Sequence, residues 1–261
     1  MRLHFHKYHG TGNDFIIIDN RDGQFISSKE IIRNLCDRRF GIGADGLLLF
    51  ESKEHYDFSM RYFNADGGEG TMCGNGGRSI TAFAGQIFKE KINFLFVAVD
   101  GVHESIITEK KQNITQVQLK MSDVKEVHQG DGYYFLDTGS PHYVRFVENA
   151  DEINVIQSGK EIRYSPLFAP EGTNVDFVEI KNGKKLFVRT YERGVEDETY
   201  SCGTGVTASA IAASYLISGE NFNIMTRGGN LKVSFHKEDN TFSDIWLEGP
   251  ATHVYSGEIE L

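Results

Sequence analysis

Met72-Cys73-Gly74-Asn75-Gly76-Gly77 and Ser201-Cys202-Gly203-Thr204-Gly205 share one form, Cys-Gly-x-Gly, and each opens a small-residue helical run. Cys202 lies 129 positions after Cys73, and other matches keep nearly that offset. Gly12-Asn13-Asp14-Phe15 answers Gly139-Ser140-Pro141-His142 at 127, and Arg61-Tyr62-Phe63-Asn64 answers Arg189-Thr190-Tyr191-Glu192 at 128. Asp100-Gly101 answers Arg227-Gly228 at 127, and Val117-Gln118-Leu119 answers Ile245-Trp246-Leu247 at 128. A steady offset across a chain marks an internal repeat. The chain therefore reads as two domains, residues 1–122 and 131–249, the second a structural repeat of the first. The polar stretch from Ser122 to Gly132 reads as their connection, and residues 250–261 as a tail that returns to the first domain.

Short β-branched or aromatic runs bounded by turn residues predict strands at Phe15–Asp19, Leu47–Phe50, Phe94–Val99, Gln116–Met121, Phe177–Ile180, Leu186–Tyr191 and Ser243–Leu247. Helices are fewer. Ser27-Ser28-Lys29-Glu30 reads as a capping box for a helix through Arg39, with Gly41 past its end. Ser79–Phe88 and Val206–Ser218 are the helices behind the cysteines, and the second has almost no polar face, which marks a buried helix. The fold class is α+β: two pseudo-symmetric domains, each a mostly antiparallel, barrel-like sheet wrapped around a central helix.

At 261 residues, with 39% hydrophobic and 12% aromatic content, the chain can bury a sizeable core. A net charge of −10 argues against nucleic acid as partner. The N-terminal residues lack the apolar region of a secretory signal, and no apolar run is long enough for a membrane span. Three cysteines make no disulfide framework. A cytoplasmic protein with free thiols is expected.

A cysteine just before a buried helix meets unpaired N–H groups and a partial positive charge. Both favour thiolate and predict a lowered pKa. The same N–H groups can hold a carboxylate, and flanking glycines let a ligand approach the backbone. Two such units suit the inversion of an sp3 carbon bearing an acidic hydrogen. One thiolate removes the proton from one face, and the opposite thiol delivers another. No cofactor fingerprint is present. Gly41-Ile42-Gly43-Ala44-Asp45-Gly46 matches a dinucleotide-binding string, but it follows a helix and precedes a strand, the reverse of the order required.

Gly10-Thr11-Gly12-Asn13-Asp14-Phe15, Gly41 to Gly46, Phe63-Asn64-Ala65-Asp66-Gly67, Met72 to Gly76, Tyr191-Glu192-Arg193-Gly194 and Cys202 to Gly205 resemble the diaminopimelate epimerase family, in order and over nearly the whole chain. The resemblance implies a PLP-independent enzyme that interconverts LL- and meso-diaminopimelate for lysine and peptidoglycan synthesis. It implies Cys73 and Cys202 as the base and acid pair, in a cleft between two similar domains. Arg193 would bind a substrate carboxylate, and Asn13, Asn64 and Asn174 the distal amino-acid end. Gly74, Asn75, Gly203 and Thr204 would offer N–H groups to the reacting carboxylate. Glu192, by the reacting centre, would also bind substrate, and Glu192 and His142 would support the thiols, with no metal and no cofactor. A homodimer formed near Tyr255 is also implied. Many members carry Asn at Ser140 and some carry Gln at Gly46, so the substrate's distal end is where this chain departs. Cys36, in Ile31-Ile32-Arg33-Asn34-Leu35-Cys36, and His9 read as structural.

Other readings of the residues stay open. A proline- or hydroxyproline-type racemase would leave Arg193, Asn64 and Asn174 without a purpose. The isomerases of phenazine synthesis do not use a cysteine pair. A thiol-redox switch protein would use Cys73 and Cys202 as a reversible disulfide.

Overall fold

The two cysteine-led helices are buried along nearly their whole length, and strands wrap each of them. The computed structural model describes residues 2–261. Contacts divide these into one unit running up to Leu119 and including Gly249–Leu261, and a second unit of Lys120–Glu248.

The first unit runs β1 (Arg2–Gly10), β2 (Asn13–Asp19), α1 (Lys29–Cys36), β3 (Gly46–Glu51), β4 (Phe58–Asn64), α2 (Gly74–Ile87), β5 (Asn93–Ala98), β6 (Gly101–Lys111) and β7 (Ile114–Lys120). The second runs β8 (His128–Gly130), β9 (Tyr133–Asp137), β10 (Pro141–Phe146), α3 (Val155–Arg163), β11 (Asn174–Asn182), β12 (Lys185–Glu192), β13 (Asp197–Thr199), α4 (Gly203–Ala213), β14 (Asn221–Thr226), β15 (Gly229–Glu238) and β16 (Thr241–Glu260). The long β16 gives its first part to the second unit and its last part to the first. Gly249–Thr252 pair with β7 and Thr252–Glu260 with β1, closing the first sheet into a barrel. Closure leaves that sheet without a free edge.

Both units pair their strands antiparallel except at two joints. These are β2–β3 and β4–β5 in the first unit, and β10–β11 and β12–β14 in the second. The registers match as well. Phe15 faces Gly46 and Leu48 faces Tyr62, where the second unit sets His142 against Asn174 and Asp176 against Thr190. Arg61 clamps Glu69, and Arg189 clamps Glu198. The repeat in the sequence is thus a repeat of element order, register and ion pairs.

Several boundaries differ from the sequence expectation. Ser28, not Ser27, caps α1, its hydroxyl accepting from Ile31 N. The helix stops at Cys36 because Asp37 turns extended and its carboxylate accepts from the Arg39 and Phe40 amides, both at 2.7 Å. Helices α2 and α4 begin directly after the cysteines and end at Ile87 and Ala213. The stretch from Ser122 to Gly132 belongs to the second unit. Val124 and Val127 are buried there, and Val124 exchanges backbone hydrogen bonds with Phe242 at 2.9 and 2.7 Å. Helix α3 and strands β4, β6 and β15 lie outside the sequence expectation, although Leu231, Val233 and Phe235 alternate strictly with polar residues along β15. Cys36 packs in the core with Ile32 and Leu35, and burial pushes its thiol up to about 12. Among the described residues no helix is long and apolar enough to cross a membrane.

Candidate active site

The sequence-predicted residues fall into one cluster in each unit. In the first, Cys73 is the N-cap of α2, with extended backbone at φ −111° and ψ 125°. No side chain caps the helix. The Cys73 thiol, half-buried, donates to Asn13 Oδ1 at 3.7 Å. Asn13 is held in turn by its own amide, which donates to Asp45 Oδ2 at 2.9 Å. Asn75 Nδ2 also donates to Asn13 Oδ1, at 3.3 Å.

Behind this row lies Arg78, wholly buried in the first turns of α2. Its guanidinium donates to Asn75 Oδ1 at 2.8 Å, Thr11 Oγ1 at 3.3 Å and Gly74 O at 3.3 Å, and none of these is a carboxylate. Burial lowers its pKa to about 10, while the charge of Cys73 works the other way. A buried cation beside a thiol lowers the cost of ionising it.

Asn64, exposed at the end of β4, accepts from the Tyr62 hydroxyl at 2.8 Å. The Tyr62 ring lies between two glycines. A Cβ at Gly46 would meet Tyr62 Cε2 at 2.5 Å, and one at Gly70 would meet Cδ1 at 2.8 Å. Gly46 therefore makes room for the ring that reaches Asn64. His9 accepts from Gly12 N at 3.4 Å, within the turn that leads to Asn13.

In the second unit Cys202 caps α4 with nearly the same backbone, φ −112° and ψ 117°, and again no side chain caps the helix. Here the expectation of a lowered pKa fails. Burial pushes the Cys202 thiol well up, and the carboxylates of Glu192 and Asp176 add to it. The Gly205 amide, and the Thr204 hydroxyl whenever it donates to sulfur, oppose the rise without cancelling it. A helix terminus offers well under the cost of ionising a buried thiol among carboxylates.

Cys202 Sγ lies 3.3 Å from Thr204 Oγ1, which lies 2.8 Å from His142 Nε2. His142 Nδ1 is 2.7 Å from Asp176 Oδ2, and Thr190 donates to Asp176 Oδ1 at 2.6 Å. His142 and Asp176 are both fully buried. Asn174 Oδ1 accepts from Arg193 N at 2.8 Å, and its amide donates to Ser140 Oγ at 2.7 Å and Pro141 O at 3.0 Å. The Arg193 guanidinium donates to Glu171 O at 3.4 Å, and among the described residues it pairs with no carboxylate. Gly203 and Thr204 form the first turn of α4.

A sequence profile described as diaminopimelate epimerase matches residues 5–127 and 134–254. The chain belongs to the diaminopimelate epimerase family. The family is one of isomerases, and its relatives match at full length. An enzyme named diaminopimelate epimerase from Flavobacterium psychrophilum is 47% identical over 98% of this chain and 100% of its own. Another of that name, from Chlorobaculum tepidum, is 42% identical over 97% and 99%. Among solved structures, the Bacillus anthracis phenazine biosynthesis protein aligns with a TM-score of 0.78 over 100% of both chains at 16% identity. A hydroxyproline epimerase from Agrobacterium vitis aligns with a TM-score of 0.72, over 100% of this chain and 93% of its own, at 12% identity. At such identities these two speak for the fold alone.

Sequence reasoning missed Arg78, Tyr62, Asp176 and Thr190. A signal existed for two of them. Arg78 is a lone cation in the small-residue run behind Cys73, and Asp176 a lone acid in Val175-Asp176-Phe177-Val178. A buried charge inside an apolar run needs a partner.

Proposed function

We propose that the chain interconverts LL- and meso-diaminopimelate by two-base proton transfer at the α-carbon, without PLP or another cofactor. One thiolate takes the α-proton onto sulfur, and the electron pair left on carbon spreads into the α-carboxylate. The other thiol gives its proton to the opposite face and becomes the thiolate, so a turnover exchanges the protonation states of Cys73 and Cys202. The carboxylate is received by N–H groups of Gly74, Asn75, Gly203 and Thr204, where developing charge is stabilised electrostatically. Arg193 takes a substrate carboxylate, Asn13, Asn64 and Asn174 the distal amino-acid end, and Glu192 and His142 support the thiols. The observation that carries this reading is the pair of cysteine N-caps, alike in backbone angle and free of a capping side chain, on two buried helices of a chain that matches its family throughout.

The reading places the enzyme in the cytoplasm, in lysine and peptidoglycan synthesis, as a homodimer formed around Tyr255. That residue is 44% exposed and sits edge-on to Phe5 at 5.8 Å. Single Cys73→Ser and Cys202→Ser variants are expected to abolish inversion of both diaminopimelate isomers, with L-proline inert even for the wild type. A fully active Cys202→Ser, or turnover of L-proline alone, would refute the proposal.

A further inference from the structure

The two units agree in register but not in what stands behind their cysteines. Where the first has Phe15, Leu48 and Tyr62, the second has His142, Asp176 and Thr190. Phe15 and Leu48 are wholly buried apolar residues, and the Phe15 and Tyr62 rings pack edge to face at 6.0 Å. The helices differ to match. A Cβ on Gly76 would touch Leu48 Cδ2 at 3.3 Å, but one on Gly205 would strike Asp176 Oδ1 at 2.4 Å and His142 Cε1 at 3.2 Å. The second glycine of Cys202-Gly203-Thr204-Gly205 is there for the Asp176–His142 pair.

The hydrogen bonds around His142 run in one direction. Nδ1 faces the Asp176 carboxylate, which can only accept, whereas Nε2 faces two hydroxyls, Thr204 Oγ1 at 2.8 Å and Ser140 Oγ at 3.2 Å, the latter already accepting from Asn174 Nδ2. Nε2 is therefore the bare nitrogen, and the ring proton sits on Nδ1, where it donates to Asp176 at 2.7 Å. The Thr204 hydroxyl then donates to Nε2, and its oxygen is left to accept the S–H of Cys202.

We infer that Asp176 is a positioning residue which, through His142 and Thr204, holds Cys202 as the resting thiol. This rests on the proposed reaction in taking Cys202 as a proton donor, and it adds which thiol is protonated when substrate arrives. Cys202 is then the acid of that first turnover, and Cys73, with the Arg78 cation behind it, is the base. The charged groups around Cys202 act in the same sense. Glu192 at the end of β12 and Asp176 on β11 both disfavour a second negative charge, and α4 brings only the partial charge of its N-terminus.

Two measurements on the protein without substrate test this. In the 15N-histidine-labelled wild type, long-range proton–nitrogen spectra should show His142 protonated at Nδ1 and bare at Nε2. Protonation at Nε2 would overturn the inference. The second measurement is the pH dependence of Cys202 alkylation by iodoacetamide, followed by mass spectrometry in a Cys73→Ala background. Asp176→Asn turns an amide toward Nδ1, moves the ring proton to Nε2 and frees the Thr204 hydroxyl to donate to sulfur. The alkylation inflection should fall by about one pH unit, a roughly tenfold faster reaction below it. A folded Asp176→Asn protein with an unmoved inflection would also overturn it. Where that variant does not fold, the wild-type spectrum decides. Neither readout uses turnover, so failure of the epimerase reading would appear separately, as absence of activity toward diaminopimelate.

Discussion

Replacing Gly205 by alanine separates two physical effects of opposite sign. The position lies within α4, where alanine is favoured over glycine by up to about 1 kcal/mol. On propensity alone Gly205→Ala stabilises the protein. The new methyl, however, would stand 2.4 Å from Asp176 Oδ1 and 3.3 Å from its Cγ. That carboxylate has nowhere soft to go, since His142 holds one oxygen at 2.7 Å and Thr190 the other at 2.6 Å. Relief needs a shift of about 1 Å, enough to break one of these bonds. Overpacking a tight interior costs about 1–3 kcal/mol, and losing a buried hydrogen bond to a charged group about 1.5–3 kcal/mol. The net expectation is destabilisation by about 2–5 kcal/mol. Trp246, the chain's single tryptophan, lies in the second unit and reports on it directly in urea unfolding followed by fluorescence. In an Asp176→Ala background the same methyl meets no carboxylate, and most of the penalty should vanish. A Gly205→Ala protein as stable as the wild type would refute the packing argument.

Arg193→Met should raise KM for diaminopimelate by about 10- to 150-fold, the equivalent of a charge-assisted hydrogen bond. An unchanged KM in steady-state kinetics would remove Arg193 from substrate binding. Tyr62→Phe deletes the hydroxyl that steadies Asn64 and should raise KM about 2- to 12-fold; equal KM values would show that Asn64 needs no such support. Burial pushes the Asp14 carboxyl up, but hydrogen bonds and charges from Arg38 and Lys7 outweigh it and hold the group well below the usual carboxylate range. A folded pKa below the unfolded value of about 3.9 stabilises the protein fully above that pH, and the contribution fades as pH falls through the folded pKa. The stability gap between wild type and Asp14→Asn should thus be widest near neutrality and shrink below about pH 4. A gap that does not change with pH would contradict this.

The repeat was legible in the sequence because its sharpest marks, two Cys-Gly-x-Gly strings, lie where backbone geometry leaves little choice. Burial of Val206 to Ala213 was legible for the same reason, since a run without a polar face has only one place to go. The state of Cys202 was not. Its position at a helix terminus points to a thiolate, but Asp176 and Glu192 lie 26 and 10 residues away along the chain, and only strand pairing brings their charges to it. Gly46 reads as a lost side chain in one dimension. In three it is the space for Tyr62, an aromatic residue 16 positions later whose hydroxyl reaches Asn64. The span from Ser122 to Gly132 looked like a connection because it is polar, yet Val124 and Val127 are its buried anchors.

The central claim is that the two thiols exchange the α-proton of diaminopimelate with solvent while inverting the carbon. Incubating the reduced protein with LL-diaminopimelate in D2O, and following the α-position by NMR, tests it most directly. The account predicts deuterium at the α-carbon of the meso product from the first turnovers, and its loss in Cys73→Ser and Cys202→Ser. Formation of meso-diaminopimelate that retains its α-proton, or no exchange with either isomer, would contradict it.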